Sequence, residues 1–185
     1  MVYLPIKLDG RELALQIENE LIIRVEKIKK NSETVPCLAT ILVGNDPSSE
    51  IYVKMKRSAC KKIGIESEVV HLSETTSTHE LKEVIQNLNN TPNIFGILLQ
   101  HPTPKHIHER LCFDEISLEK DVDGVTSYGF GKMSMGEPAY GSATSVGIMK
   151  LLDYYRISLE GKRAVIVGRS PILGKPLAMM LLNRN

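Results

Sequence analysis

The sequence predicts an α/β protein in which helices cover both faces of a parallel sheet, followed by the first elements of a second α/β domain. Three observations lead to this prediction. Short apolar runs, typical of strands buried on both faces, recur through the first hundred residues. Segments with apolar residues at helical spacing separate those runs, as in a parallel α/β/α sheet. A further apolar run near residue 165 leads through a glycine-bounded loop into another helix start.

Helices and strands are expected to alternate up to residue 111. Leu13, Ile17 and Leu21 begin an apolar stripe at helical spacing, with charged residues between them. The runs CLATILV and IFGILL predict buried strands, and Gly64 suits a helix C-cap. The predicted helices cover residues 11–30, 47–64, 78–88 and 104–111, and the predicted strands cover 37–43, 68–72 and 94–99.

The next stretch is expected to cross between two domains. Residues 121–142 are rich in glycine and polar residues, as interdomain segments often are. A helix over 143–155 and a strand over 163–167 are predicted after it. We therefore place a first domain at 1–142 and an incomplete second domain at 143–185, since a complete domain of this kind needs on the order of a hundred residues.

Composition argues against several classes of protein. The chain has 185 residues, 42% of them hydrophobic, and a formal net charge of +1. So small a charge gives no electrostatic footprint for nucleic acid or for an anionic membrane. No apolar run approaches the length of a transmembrane helix, and the N-terminal MVYLPIKLDG lacks the layout of a signal peptide. We expect a cytoplasmic protein that binds neither nucleic acid nor membrane.

The cysteines and histidines favour neither a disulfide framework nor a metal site. Cys37, Cys60 and Cys112 are odd in number and widely spaced, which indicates free or buried thiols in a reducing cytosol. His106 and His108 are two residues apart, so on a helix they would point to different sides. We therefore predict no bound metal.

The most informative segment is NDPSSEIYVKMK, at the start of the second predicted helix. Asp46 or Ser48 can cap this start, and Tyr52 and Lys56 share one helix face because they are four residues apart. A lysine at the floor of a cleft is desolvated, which lowers its pKa and suits it to shuttle protons. The tyrosine offers a stacking ring and a hydroxyl. The alternative is an ordinary capped helix whose lysine extends to solvent.

Gln100 is expected to lie beside that helix. Ligands of parallel sheets bind beyond the carboxyl ends of the strands. The Tyr52 helix follows the first predicted strand, and Gln100 follows the third. Two segments distant in sequence therefore converge on one crevice, which supports a functional role for Tyr52, Lys56 and Gln100.

A second candidate is the segment KDVDG, residues 120–124. A carboxylate here, such as that of Asp123, can accept two parallel hydrogen bonds from an aminopyrimidine edge, much as Asp and Glu accept from base edges. The alternative is a polar turn, because Asp-Gly is a common turn pair.

A third candidate is RAVIVGRSPILGKP, residues 163–176, which predicts a strand, a loop and a helix start. Loop amides and a helix N-terminus favour a phosphate, and Arg169 would add charge and donors for a further phosphate. The spacing of Gly168 and Gly174 is G-x5-G, which differs from the G-x-G-x-x-G of dinucleotide-binding loops. A plain strand-to-helix turn is the alternative.

Taken in order, these segments resemble the bifunctional methylenetetrahydrofolate dehydrogenase/cyclohydrolase family. The resemblance keeps the family's order and spacing and spans nearly the whole chain. It implies a Rossmann-like dinucleotide-binding domain in the second part, and a place in one-carbon metabolism and purine biosynthesis. The matching stretches are ILVGNDPSSEIYVKMKRSACKKIGI, GILLQHPTPKHI, KDVDGVTSYGFGKM, GIMKLLDYY and LEGKRAVIVGRSPILGKPLAMMLL.

The resemblance implies two reactions on tetrahydrofolate. NADP oxidises 5,10-methylenetetrahydrofolate to the methenyl form, and hydrolysis of that form gives 10-formyltetrahydrofolate. By position, Lys56 is the main catalytic residue of the hydrolysis, and Gln100 holds Lys56 and polarises the water. Tyr52 stacks on the aromatic portion of the folate and orients it. Asp123 binds the pterin edge.

The resemblance also implies a cofactor site and an oligomeric state. By position, Gly168, Arg169 and Ser170 bind the cofactor. Arg169 and Ser170 contact its ribose phosphate, which favours NADP over NAD. The family expectation is a homodimer formed through the cofactor domains.

The chain departs from the family pattern in three places. Ser-Ala-Thr-Ser at 142–145 replaces the usual Pro-Cys-Thr-Pro, which removes a thiol and two stiffening prolines. Gln-His-Pro-Thr-Pro at 100–104 replaces Gln-Leu-Pro-Leu-Pro, and we hypothesise that His101 borders the folate pocket. A solvent-facing His101 is the alternative. The third departure is the end at Asn185, which predicts either a fragment of a longer protein or a missing cofactor half.

Two other classes of protein are weighed against this assignment. Short-chain dehydrogenases also use a Tyr-x-x-x-Lys helix, but their glycine-rich motif precedes the tyrosine, whereas Gly168 follows Tyr52 by more than a hundred residues. The second class is a truncated folate-binding protein without dehydrogenase turnover. The early end favours it, and the intact Lys56 and Gln100 argue against it.

Overall fold

A three-stranded parallel sheet forms the centre of the computed structural model, which describes residues 6–32 and 34–184. Its strands are β1 (Cys37–Val43), β2 (Glu66–Leu72) and β3 (Ile94–Leu99). The strand order is β2-β1-β3, and both neighbours run parallel to the central β1. The prediction of a parallel sheet is confirmed, and β2 begins two residues before the predicted start.

Helices connect the strands and continue through the second part of the chain. Those predicted before and between the strands and after residue 143 are present. The helix predicted over 104–111 is shorter and begins later, at Glu109, and an unpredicted helix lies within the stretch 121–142. The helices are α1 (Gly10–Asn31), α2 (Pro47–Ile63), α3 (Thr78–Asn90), α4 (Glu109–Phe113), α5 (Ser127–Ser134), α6 (Ala143–Tyr154) and α7 (Gly174–Leu182), with a 3-10 turn at Leu118–Lys120.

Local capping chemistry fixes the ends of the helices that frame the sheet. The carboxylate of Asp46 accepts a hydrogen bond from the backbone N–H of Ser49 at 2.7 Å, so the predicted N-cap of α2 is Asp46. Gly64 ends α2 with φ 85°, in the left-handed region, so the predicted C-cap is confirmed. Ser77 and Glu80 form a reciprocal capping box at the start of α3.

The main core lies where β1 and β3 pack against α3 and the α4 region. Burial of these apolar side chains is the main source of stability for this part of the molecule. The strand β2 is less buried than β1 and β3, although its Val70 and Leu72 are partly buried and pack against this core. The side chains with essentially no exposure include Ile41, Leu81, Ile85, Ile97, Leu99 and Cys112.

The predicted strand over residues 163–167 is wrong, because this segment forms no strand. Val165 is 89% exposed and Val167 is fully exposed. A strand needs a partner for its backbone hydrogen bonds, and no strand among the described residues pairs with this segment. α6 and α7 pack against each other without a sheet between them.

The N-terminal helix ties the two parts of the chain together. The hydroxyl of Tyr155, just after α6, accepts a hydrogen bond from the backbone N–H of Asp9 at 2.9 Å. The hydroxyl of Tyr154 donates to the carboxylate of Glu12 at 3.1 Å. The division of domains between 142 and 143 stays a prediction, and its outermost residues, 1–5 and 185, lie outside the described part of the chain.

Three further sequence predictions concern thiols, metals and membranes. Cys37, Cys60 and Cys112 are all buried and free, as predicted, and burial raises the pKa of the Cys112 thiol to about 11. Within residues 6–32 and 34–184, no three His, Cys, Asp or Glu side chains converge as a metal site would require. No helix in those ranges has both the length and the apolar character needed to cross a membrane.

Candidate active site

The structure brings Lys56 and Gln100 together at the carboxyl edge of the sheet. Lys56 lies on α2, which follows β1, and Gln100 follows β3 directly. Because β1 and β3 are parallel neighbours, both residues arise at the same edge. The Nζ of Lys56 donates to the Oε1 of Gln100 at 3.0 Å. The predicted convergence of these two segments is therefore present, and the lysine does not simply extend to solvent.

Two fixed partners determine how the amide of Gln100 is turned. Its Nε2 donates to the backbone carbonyl of His101 at 2.7 Å. A carbonyl only accepts hydrogen bonds, so the nitrogen must face His101 and the oxygen must face Lys56. The backbone N–H of Gln100 donates to the carbonyl of Ile41 at 2.9 Å, and its side chain is 7% exposed. Gln100 is thus a buried acceptor held in one orientation.

Two opposing influences act on the pKa of Lys56. Burial lowers the pKa of the ammonium, and the nearby charge of Asp123 opposes that shift in part. The pKa of Asp123 is raised by burial, lowered by Lys56 and raised further by Asp121. Each group therefore responds to the charge of the other, and the site places a partly desolvated amine beside a partly desolvated carboxyl.

Tyr52 lies one helical turn before Lys56 on α2. Its side chain is 57% exposed. An exposed aromatic ring beside a half-buried amine offers a flat apolar surface on which a ligand ring can stack.

The two carboxylates of the segment KDVDG have different functions. Asp121 is buried and accepts hydrogen bonds from the backbone N–H groups of Val125 and Thr126 at 2.9 and 3.0 Å, so it builds the turn. Asp123 is left to face the charge of Lys56. The polar turn is therefore present and is built by Asp121, and the binding role of Asp123 stays a prediction.

Two glycines allow this turn to sit against its neighbours. Gly124 has φ 64°, and an added Cβ would lie 2.3 Å from the carbonyl carbon of Gly141. Gly96 lies on β3, and an added Cβ there would lie 2.8 Å from a methyl group of Val122. The backbone that carries Asp123 can therefore approach both β3 and the start of the second part of the chain.

Lys120 is a structural residue whose role the sequence analysis missed. Its ammonium donates to three backbone carbonyls at the end of α3, those of Leu88, Asn89 and Thr91, at 3.0, 2.7 and 2.9 Å. The last carbonyls of a helix lack partners within the helix and favour a positive charge. Lys120 thereby anchors the segment that bears Asp123 to α3.

The glycine-bounded loop of the second part has a geometry that fits a phosphate-bearing cofactor. An added Cβ on Gly174 would lie 2.5 Å from the carbonyl oxygen of Gly168, so the two ends of the loop touch. The carbonyl of Ser170 accepts from the backbone N–H of Lys175, at the start of α7, at 3.0 Å. The side chain of Arg169 is exposed. A tight loop leading into a helix N-terminus presents backbone donors to an anion.

Buried serines that replace the family's two prolines support that loop. The hydroxyl of Ser142 donates to the carbonyl of Ile172 at 2.5 Å, and the hydroxyl of Ser145 donates to the carbonyl of Leu173 at 3.0 Å. Both serines are almost completely buried. Proline has no hydroxyl to donate, so this departure from the family pattern adds two hydrogen bonds to the loop.

The side chain of His101 is exposed and bound to Glu109. It lies at a small cavity of about 150 Å³ whose other walls include Glu109, Ser170 and Ile172. The turn after β3 and the glycine-bounded loop therefore approach each other. The exposure of His101 agrees with the alternative that it faces solvent. The hypothesis that His101 borders the folate pocket stays a prediction.

The fold and this site define a parallel α/β protein with a half-buried lysine bound to a glutamine at the carboxyl edge of its sheet, and with a glycine-bounded loop further along the chain. The family model for the tetrahydrofolate dehydrogenase/cyclohydrolase catalytic domain matches residues 8–123. The model for the NAD(P)-binding domain of the same enzymes matches residues 142–185. The chain belongs to the tetrahydrofolate dehydrogenase/cyclohydrolase family.

Curated relatives and solved structures agree with this assignment. The bifunctional protein FolD of Cellvibrio japonicus is 61% identical over 178 residues, which are 96% of this chain and 64% of the relative. The FolD crystal structure from Campylobacter jejuni matches with a TM-score of 0.93 at 43% identity, over 96% of this chain and 63% of that one. The Trypanosoma brucei enzyme, complexed with NADP cofactor and inhibitor, matches with a TM-score of 0.93 at 29% identity, over 98% and 63%.

The chain spans about 64% of the length of the curated relatives from Cellvibrio japonicus, Teredinibacter turnerae and Alcanivorax borkumensis. Its first part is covered by the catalytic-domain model, and its second part matches the NAD(P)-binding model over 44 residues, from 142 to 185.

Proposed function

We propose that this chain belongs to an enzyme that carries out two reactions on tetrahydrofolate. One is the NADP-dependent oxidation of 5,10-methylenetetrahydrofolate, and the other is the hydrolysis of the methenyl product to 10-formyltetrahydrofolate. The observation that carries the proposal is the half-buried Lys56 amine, bound to Gln100 at 3.0 Å and facing the charge of Asp123. Membership of the family and the name of the Cellvibrio relative support the pairing of the two activities.

In the hydrolysis, Lys56 is the group that handles protons. The oxygen of water bonds to the methenyl carbon and the bond from that carbon to N5 breaks. One proton of the water passes to N5 and the other is released. A lysine whose pKa is lowered by burial is neutral in a larger fraction of molecules, so its amine can take a proton from the attacking water. Gln100 fixes the position of that amine, which keeps it aligned with the substrate.

Tyr52 and Asp123 are the proposed substrate-binding residues. The exposed Tyr52 ring would stack on the aromatic portion of the folate. The Asp123 carboxylate would accept two hydrogen bonds from the pterin edge. Because Tyr52 and Lys56 are one helical turn apart, stacking on the ring would hold the reactive carbon near the amine.

The oxidation depends on NADP, which accepts the hydride when it is bound. Gly168, Arg169 and Ser170 are the residues proposed to hold it. The backbone of the Gly168–Gly174 loop would face a phosphate at the start of α7, and Arg169 would add a positive charge. We also propose that the whole protein is a cytoplasmic homodimer that binds neither nucleic acid nor membrane.

The decisive experiment follows the hydrolysis of 5,10-methenyltetrahydrofolate in the purified protein. Lys56→Met should reduce kcat at least about a hundredfold, the scale expected when a general base is removed. Lys54→Met is the matched control, because Lys54 lies on the same helix, is exposed and pairs with Glu50. Equal activity in Lys56→Met and the unaltered protein would contradict the proposal.

A second assay separates the enzyme from a folate-binding protein without turnover. The protein is given 5,10-methylenetetrahydrofolate and NADP, and the formation of NADPH is followed. A folate-dependent rise supports the dehydrogenase reaction. Binding of folate with neither NADPH formation nor hydrolysis would favour the non-catalytic alternative.

A further inference from the structure

Glu109 binds the turn that follows Gln100 at two points. Its carboxylate oxygens lie 2.8 and 2.9 Å from the Nδ1 of His101. One of them also accepts from the backbone N–H of Thr103 at 2.9 Å. Because a carboxylate only accepts, the Nδ1 of His101 must carry the proton that it donates. Glu109 thus holds the turn 101–103 both through the ring of His101 and through the backbone of Thr103.

The turn itself lies outside the helices and strands, so such contacts decide its position. Residues 101–103 leave the sheet after β3 and come before α4. In the described part of the chain, the side chains of Gln100 and Glu109 hydrogen-bond to this turn, and Glu109 reaches it from α4. Glu109 is half-buried and is the first residue of α4. A charge-assisted hydrogen bond from this position is stronger than a neutral one.

The position of the turn bears directly on Gln100. The His101 carbonyl that accepts from Gln100 belongs to the same turn. If that carbonyl moves, the amide of Gln100 loses the partner that keeps its oxygen toward Lys56. The contacts therefore form a chain from Glu109 through His101 and Gln100 to the amine of Lys56.

We propose that Glu109 is a positioning residue for the hydrolysis, which holds the turn 101–103 so that the His101 carbonyl orients Gln100 against Lys56. The proposal rests on the proposed function for its effect on turnover. Its structural part, the control of Lys56 through Gln100, stands on the hydrogen bonds alone.

The test compares two substitutions of Glu109 with a matched control. Glu109→Ala removes both contacts to the turn, whereas Glu109→Gln keeps an acceptor for His101 and Thr103. The control is Glu83→Ala, because Glu83 also faces a histidine, His79, in an exposed pair on α3. Thermal unfolding of each variant shows whether it is folded before any rate is compared.

Kinetics of methenyltetrahydrofolate hydrolysis provide the first readout. Glu109→Ala should lower kcat about tenfold and leave KM within about twofold, since displacing a positioned group costs rate more than binding. Glu109→Gln should recover most of kcat, and Glu83→Ala should match the unaltered protein. Unchanged kcat in Glu109→Ala overturns the proposal. A rise confined to the KM for methenyltetrahydrofolate also overturns it, because Glu109 would then line the substrate pocket.

A second readout needs no turnover. The rate at which an amine-reactive reagent labels Lys56 is measured against pH by mass spectrometry. When Gln100 no longer accepts from the ammonium, the pKa of Lys56 should fall, so Glu109→Ala should move the labelling profile to lower pH. An unmoved profile overturns the proposal. If the unaltered protein does not hydrolyse the substrate, the proposed function fails, and this labelling still decides the role of Glu109.

Discussion

The sheet region and the region after α6 contain similar apolar runs with opposite outcomes. CLATILV and IFGILL form β1 and β3, whose residues are mostly buried. AVIV, at 164–167, forms no strand, and Val167 is fully exposed. An apolar run predicts that a segment will be buried, but a strand also needs a neighbour to share its backbone hydrogen bonds. The comparison shows that an apolar run makes a strand favourable, and that a neighbouring strand is needed for it to form.

The two candidate sites also differ in how many of their residues are held by neighbouring parts of the chain. Lys56 and Gln100 are held in a connected set of hydrogen bonds at the carboxyl edge of a complete three-stranded sheet. The Gly168–Gly174 loop is held mainly at its far end, by Ser142 and Ser145, while Arg169 is exposed. The first site has Lys56 and Gln100 in contact, whereas the second has the exposed Arg169 on a loop that leads into α7.

The largest contrast is expected from truncating one apolar side chain in each region. Ile97→Ala on β3 removes a side chain with no exposure, which should lower the free energy of unfolding by about 3 kcal/mol. Val167→Ala should change it by less than about 0.5 kcal/mol, because the side chain is already in solvent. Urea unfolding of both variants measures the difference. Equal losses would break the comparison, since they would mean that residues 164–167 are buried in solution.

A smaller loss is expected from Lys120→Met in the sheet region. Removing the ammonium takes three hydrogen bonds from the end of α3 and leaves the carbonyl of Asn89 without a donor, while those of Leu88 and Thr91 keep backbone donors. The loss should cost about 2 kcal/mol. Lys150→Met on α6 is the control, because Lys150 is exposed and its loss should be near zero. Urea unfolding again provides the measurement. Similar small losses for both lysines would show that Lys120 does not anchor its segment.

The smallest stability effect is expected from Ser145→Ala in the second region. The substitution removes the hydroxyl donor to the carbonyl of Leu173, which keeps the backbone N–H of Leu177, and should cost about 1 kcal/mol. It should also raise hydrogen exchange in the Gly168–Gly174 loop, because the loop loses one of its two serine contacts. Thr144→Ala is the control, since Thr144 is exposed on the same helix. Unchanged exchange in the loop would contradict the bracing role of Ser145.

Much of the sheet region could be predicted from the sequence because its signals are local. The apolar runs gave both ends of β1 and β3, and cap residues such as Asp46 and Gly64 gave the ends of α2. The meeting of Lys56 and Gln100 followed from the rule that parallel strands present their carboxyl ends at one edge. These inferences need only spacing and topology.

The contacts that sequence reasoning missed join residues far apart in the chain. Lys120 reaches back about thirty residues to the end of α3, and Ser145 reaches forward to Leu173. Glu109 is unremarked in the sequence because nothing in its neighbouring residues distinguishes it from the other glutamates of the chain. No periodicity encodes such contacts, since they depend on how the packed elements meet. The departures at Ser142 and Ser145 were a usable signal, because a serine can donate where a proline cannot.

The central claim is that burial beside Gln100 and Asp123 makes the Lys56 amine the proton-handling group. The most direct measurement is kcat for methenyltetrahydrofolate hydrolysis against pH, corrected for the uncatalysed rate, in the unaltered protein and in Asp123→Asn. The negative charge of Asp123 raises the pKa of Lys56, so its removal should lower that pKa further. The account predicts a rate that rises with pH below the usual range of lysine and a rise that moves to lower pH in Asp123→Asn. A rise at the same pH in both proteins, or one that moves to higher pH, would contradict it.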